Sequence, residues 1–331
     1  MATTDRRRGG ALLAVLWLSA ALAAIAFSLA GTVRGEAERA STAVDGLRSY
    51  YLAAGAVERA TLHMLWAFQH PALARAYKPG TSVLHFPFPT GEAVVEIVPE
   101  AARFNINLTR PEELHRLLVA LGVEPGRARE IALAIVDWRT PIPDQAAGPF
   151  DSFYLSLNPS FRARHASFEE IEELLLVKGM TPDIYYGAYE HDPAAPEGAA
   201  RLVARGGLAN CVSVYGVNDR FDVNTAEPAV LAAIGVPPQR IAALVERRRA
   251  APFSNQEELM RFVGPAAGPG VQRLRIGGNS IFTLRATARL RLSNGQLSDL
   301  RRSVAAQVKF MPQGYDAPYH VLRWYDTAWT Q

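Results

Sequence analysis

The chain has 331 residues, 49% of them apolar and 20% charged, with a formal net charge of +3. That is enough apolar material for two or three domains with real cores, and so slight a positive balance gives no argument for a polyanionic partner. The single cysteine, Cys211, excludes an intramolecular disulfide in any compartment and predicts a small buried hydrophobe.

Residues 6–33, RRRGGALLAVLWLSAALAAIAFSLAGTV, form the first predicted element. Arg6, Arg7 and Arg8 precede a stretch, residues 10–33, that carries no charge. A helix needs about 20 apolar residues to cross a bilayer, so this stretch predicts one membrane-spanning helix. The arginines place its start on the cytoplasmic side and the body of the chain on the other. The run exceeds the roughly 7–15-residue apolar core of an ordinary cleaved secretory signal. A buried N-terminal helix would have to keep three arginines wet, which disfavours it. A plain N-terminal anchor remains open.

In RRRG-GALLAVLW a short basic leader and a glycine abut the apolar helix with no spacer, so the candidate cleavage site lies before the apolar core. This arrangement resembles the leader of type IV pilins and type II secretion pseudopilins. Within that group, RG-GALLAVLW is most similar to the minor pseudopilin K family (general secretion pathway protein K). The resemblance implies that a prepilin peptidase cuts between Gly9 and Gly10, with Gly10/Ala11 as the alternative bond. It further implies methylation of the new N-terminus and retention of the helix in the mature protein. Pilins carry a glutamate five residues after the cut; Ala14 stands there in this chain, as in the K subfamily.

The following residues, 34–103, predict a stem helix and the first strands of a pilin fold. Val44, Leu47, Tyr51, Ala54, Val57, Met64 and Phe68 recur at helical steps, with Glu58, Arg59 and Gln69 between them. No proline precedes Pro71, so span and stem are expected to form one helix. A turn at Thr90-Gly91 then leads into a strand around Ala93–Val98.

Residues 104–275 read as an inserted helical domain holding two related copies, 104–180 and 221–264. FNINLTRPEEL (104–114) matches FDVNTAEPAVL (221–231), LGVEPGR (121–127) matches IGVPPQR (234–240), and FEEIEELLLVKG (168–179) matches FSNQEELMRFVG (253–264). In each copy an Asn or Thr is expected to cap a short helix with proline in its first turn, and a glycine turn leads to a second helix. Prolines and glycines in 140–167 exclude a long helix there, and DPAAPEGAA (192–200) reads as a linker between copies. In residues 276–331, Leu284, Ala286, Ala288, Leu290 and Leu292 alternate with Arg285, Thr287, Arg289 and Arg291, predicting a half-buried strand. Asn294-Gly295 predicts a hairpin, with further strands at Ser303–Phe310 and Tyr319–Tyr325.

The whole order resembles pseudopilin K: an α+β, pilin-like fold with a long N-terminal helix, a C-terminal antiparallel sheet, and an inserted helical domain with two helix-hairpin-helix-like repeats. The resemblance implies a minor pseudopilin at the tip of a periplasmic filament, single-pass in a Gram-negative inner membrane. It implies as partners the I-type and J-type minor pseudopilins, the prepilin peptidase and the inner-membrane secretion platform. A type IV pilus tip subunit shares the leader logic. The repeats also resemble the helix-hairpin-helix of the extracellular competence DNA receptor, whose glycine-rich turns hold phosphates on backbone N–H groups. Here Glu124 stands beside the first would-be phosphate and the second turn lacks its second glycine, so no nucleic-acid partner is expected. Arg247, Arg248 and Arg249 are expected to form a solvated helix face.

Asp137, Asp144 and Asp151 surround the long connection. Calcium binding in this domain is implied by the resemblance, although DWRTPIPD has lost most of the acidic stretch that follows the tryptophan in the family. Three carboxylates would need carbonyls and water to reach calcium's six to eight oxygens, and an ordinary exposed loop is the alternative. No catalytic motif such as GxSxG, HExxH or CxxC occurs, and no enzyme is expected. His63, His70, His85, His115, His165, His191 and His320 are scattered, and no ligand pair is expected among them.

Overall fold

Helix α1 runs unbroken from Arg6 to Gln69, so span and stem are one rod of about 96 Å. The computed structural model describes residues 6–70, 77–78, 80–143, 146–191, 202–264, 268–277, 280–312 and 314–328. The apolar first half of α1 stands free of the rest of the chain, with Trp17 74% and Phe27 80% exposed. It is long and apolar enough to cross a membrane. In the second half Leu52, Ala53, Ala56, Val57, Ala60, Met64 and Ala67 are buried. The expected apolar stripe is therefore corrected. Val57 and Met64 face the core, but Val44, Leu47, Tyr51 and Phe68 are exposed, because small alanines make the close approach to the sheet.

After α1 come strands β1 (Val83–Phe88) and β2 (Gly91–Pro99), joined at the predicted turn. The inserted region follows with β3 (Phe104–Asn105), α2 (Pro111–Ala120), α3 (Pro125–Arg139), α4 (Asp151–Leu155) and α5 (Pro182–Tyr186). It continues through β4 (Gly187–His191), β5 (Leu202–Gly206), β6 (Val212–Ser213) and β7 (Phe221–Asp222). Helices α6 (Pro228–Ala233), α7 (Pro238–Ala250) and α8 (Gln256–Val263) and strand β8 (Leu274–Arg275) complete it. The chain then returns to the first sheet as β9 (Ile281–Arg291), β10 (Leu297–Phe310) and β11 (Tyr319–Tyr325).

The sheet has the order β1-β2-β9-β10-β11, with every neighbouring pair antiparallel. Strand β2 lies directly beside β9, with Gly91 opposite Leu290 and Pro99 opposite Phe282. The helical region is therefore inserted between two adjacent strands of one sheet. The predicted alternation holds in β9, where Phe282, Leu284, Ala286, Ala288 and Leu290 are buried. Facing α1, Phe282, Leu284, Ala286 and Ala288 join Ala93, Val95, Ile97, Val304, Ala306 and Val308 in one core. The strand ends at Arg291, leaving Leu292 in the turn, where Gly295 takes a positive φ of 81°. Strand β10 begins earlier than expected, at Leu297.

The two copies share a second core in which Phe104 and Phe221 pack with ring centroids 4.6 Å apart. Their glycine turns are as expected: Gly122 and Gly235 have φ of 82° and 92°, a region open to a residue without Cβ. Two expectations need correction. The caps of α2 and α6 are Arg110 and Glu227, with no side-chain cap bond, because the neighbouring asparagines are engaged elsewhere. The third block of the first copy is a 3₁₀ turn, Ile171–Leu176, where the second copy has the α-helix α8. Residues 192–200 lie outside the described residues, but the segments flanking them pair as the antiparallel strands β4 and β5.

Candidate functional sites

The two helical hairpins are built by the same bonds. Asn107 accepts from Phe168 N at 2.7 Å and donates to Phe168 O at 2.9 Å. Asn224 does the same with Phe253, at 2.8 and 2.9 Å. In the loop before each first helix, an arginine from the second helix holds two carbonyls. Arg139 donates to Ile106 O and Thr109 O, and Arg248 donates to Val223 O and Ala226 O at 2.8 and 2.7 Å. The expected solvated face of Arg247–Arg249 is thus corrected. Arg248 is half-buried on these carbonyls and Arg247 pairs with Glu258, leaving Arg249 exposed.

The start of each second helix decides what a hairpin can bind. At α3 the Glu124 carboxylate accepts from Gly126 N and Arg127 N, both at 2.8 Å. Those two N–H groups hold its pKa below the ordinary glutamate value. The anion place at this helix N-terminus is filled by the chain itself. At α7, Pro237 and Pro238 occupy the cap and first positions, and neither has an N–H to offer. The grooves beside the hairpins differ as well. Pro111, His115 and Arg129 line a cavity of about 330 Å³ in the first copy, while Pro228, Ala232 and Ala242 line one of about 930 Å³ in the second.

A third site lies on the long connection. Asp137 sits in the last turn of α3 and Asp151 opens α4, and His165 joins them, so that one ligand atom from each lies within 4.8 Å of the others. Sequence spacing gave no hint of His165, which is 28 residues from Asp137 and 14 from Asp151. Its Nδ1 lies 3.1 Å from Asp137 O, and its Nε2 lies 2.9 Å from Asp151 Oδ1. A carbonyl can only accept, so Nδ1 carries a proton. Asp151 Oδ2 accepts from Gly148 N at 2.8 Å, whereas Asp137 Oδ2 is buried without a hydrogen-bond partner among the described residues. Asp144 lies outside the described residues.

Burial pushes the Asp137 carboxyl above its ordinary value, against the pull of the His165 ring. Burial alone would also raise Asp151, but the Gly148 N–H and His165 outweigh it and leave Asp151 lowered. His165 is depressed by burial and raised more by Asp151 and by the backbone and charge of Asp137. Among the described residues the cluster offers two carboxylates and an imidazole, a poorer match to calcium, which takes six to eight oxygens, than oxygens alone would be. An imidazole suits a borderline transition ion.

Gly9 and Gly10 lie in the first turns of α1, and a Cβ at Gly10 would meet no atom within 4 Å. Cys211 is buried, and burial pushes its thiol pKa up, as for an inert structural cysteine.

A family model described as "Type II secretion system (T2SS), protein K" matches residues 100–188. The type II secretion system protein K of Klebsiella pneumoniae is 27% identical in an alignment of 199 residues that covers 54% of this chain and 60% of that protein. The match thus spans about 60% of the relative's length. Among solved structures, a chain of the GspK-GspI-GspJ complex from the enterotoxigenic Escherichia coli type 2 secretion system aligns with a TM-score of 0.57 at 18% identity. That alignment covers 88% of this chain and 100% of the other, and it matches the fold. With the long helix, the antiparallel sheet and the helical insertion in place, the chain is similar to the type II secretion system protein K family over residues 100–188 and shares the fold of its solved relative.

Proposed function

We propose that this chain is a minor pseudopilin placed at the tip of the periplasmic pseudopilus that drives export of folded proteins across the outer membrane. In this reading α1 anchors the precursor in the inner membrane with its N-terminus in the cytoplasm. The prepilin peptidase cuts at Gly9/Gly10 and methylates the new N-terminus, and the secretion platform then extracts the subunit into the filament. The I-type and J-type minor pseudopilins are its neighbours, in keeping with a relative solved as a GspK-GspI-GspJ complex.

The observation that carries the tip location is the insertion between β2 and β9. A domain of that size, continuous with the sheet, would obstruct any subunit stacked above it. Ala14 supports the same place. A carboxylate there would neutralise the N-terminal ammonium of an adjacent subunit, and a buried unpaired ammonium costs several kcal/mol. A subunit without that carboxylate fits best at an end, where it has neighbours on one side only.

Affinity-tagged full-length protein should co-purify with the I-type and J-type minor pseudopilins. Gold labels on assembled filaments should mark one end only. Regular labelling along the shaft would refute the tip assignment, and failure to co-purify with any pilin-like protein would refute the pseudopilin reading.

A further inference from the structure

We propose that Asp137, Asp151 and His165 bind one divalent transition ion of zinc-like, borderline character, and that calcium is not the ion for this site. The three donors come from the end of α3, the start of α4 and the loop that leads to Phe168. His165 is already oriented as a ligand. Its Nδ1–H is spent on the Asp137 carbonyl, which turns the Nε2 lone pair toward the carboxylates. Ligating histidines are commonly fixed in this way by a backbone carbonyl.

Separations fit a shared ion. Two ligands each about 2.0–2.2 Å from one metal lie roughly 3 Å apart, and Nε2 stands 2.9 Å from Asp151 Oδ1. The remaining acceptor, Asp137 Oδ2, has no hydrogen-bond partner among the described residues, and its residue is only 8% exposed. A buried carboxylate oxygen without a donor is costly, and a cation beside it removes the cost. One imidazolium balances only one of the two carboxylates, whereas a divalent ion balances both.

Gly148 keeps the place open. A Cβ there would stand 2.7 Å from Asp137 Oδ1 and 2.5 Å from His165 Cε1, so any side chain would fill the cradle. The ion would tie together a connection whose only described regular element is the short helix α4.

The test uses full-length protein in detergent, stripped with chelator and dialysed. Titration with zinc chloride should show one site per chain, with calcium chloride at least about 100-fold weaker. At a hundredfold excess over Kd, zinc should raise the Tm by about 5 °C. Cobalt should give a visible d–d absorption band from a site containing nitrogen. His165→Asn keeps a residue that tolerates the positive φ of 46° seen at His165, so the fold should persist by circular dichroism while the zinc shift and cobalt band disappear. His115→Ala, which removes a ring bonded to Pro125 O away from the cluster, should retain both. Absence of any stoichiometric ion, a calcium response equal to that of zinc, or a zinc shift that survives in folded His165→Asn would overturn the proposal.

Discussion

Asn107 and Phe168 close a ring of two hydrogen bonds, in which the side-chain amide replaces the partner strand that the Phe168 backbone lacks. The same ring recurs between Asn224 and Phe253. In each copy it fastens the loop before the first helix to the start of the third block. Only an amide fits, because the ring needs one donor and one acceptor from the same side chain. Asn224 is 7% exposed, so Asn224→Ala should cost about 2–4 kcal/mol, two buried backbone groups being left unpaired. Asn224→Asp should be comparably damaging, since it cannot donate to Phe253 O. Denaturant titration of both variants measures this, and a loss below about 0.5 kcal/mol would contradict the assignment.

Glu124 gives a pH prediction. Its folded-state pKa is lowered by the Gly126 and Arg127 N–H groups. A lowered carboxyl stabilises the fold above its unfolded value, and that contribution disappears as pH falls through the lower folded value. Glu124→Gln should therefore melt below wild type at pH 7, and the two should converge in acid below the ordinary glutamate range. A gap that stays constant down to that range would mean that the charge on Glu124 is irrelevant.

The same carboxylate bears on nucleic acids. With Glu124 on the α3 amides and prolines at the start of α7, duplex DNA should bind only through diffuse positive charge. Fluorescence anisotropy on the full-length protein should show affinity falling steeply between about 50 and 200 mM salt. Tight binding at physiological salt, abolished by altering the LGVEPGR and IGVPPQR turns, would restore the DNA-receptor reading.

Helix α1 meets the sheet through alanines. Ala53, Ala56 and Ala60 are fully buried in the same core as Ala286, Ala288 and Ala306 of the sheet. Ala56→Leu should overpack this contact and destabilise the body by about 1–3 kcal/mol. Leu47→Ala, at an exposed position of the same helix, should change little. Equal effects of the two on the melting curve would show that the buried face is assigned wrongly.

Processing offers a final check. Mass spectrometry of the protein from membranes should place its first residue at Gly10, and Gly9→Trp should leave the precursor uncut. An N-terminus beyond residue 20 would indicate an ordinary secretory signal and remove the pilin-type maturation from the proposal.

The sequence by itself determined the features that depend on neighbours along the chain. The uncharged run 10–33, the alternation through β9 and the first two paired blocks of the repeats are one-dimensional patterns, and each forms the predicted kind of element. The tertiary structure alone decided which face of α1 is buried, because that depends on where the sheet lies and on alanines that carry little periodic signal. It alone moved Asn107 and Asn224 from expected caps to bridges, since Phe168 and Phe253 are 61 and 29 residues away. It alone brought His165 onto Asp137 and Asp151, because a connection broken by proline and glycine carries no period from which a meeting of three distant side chains could be read.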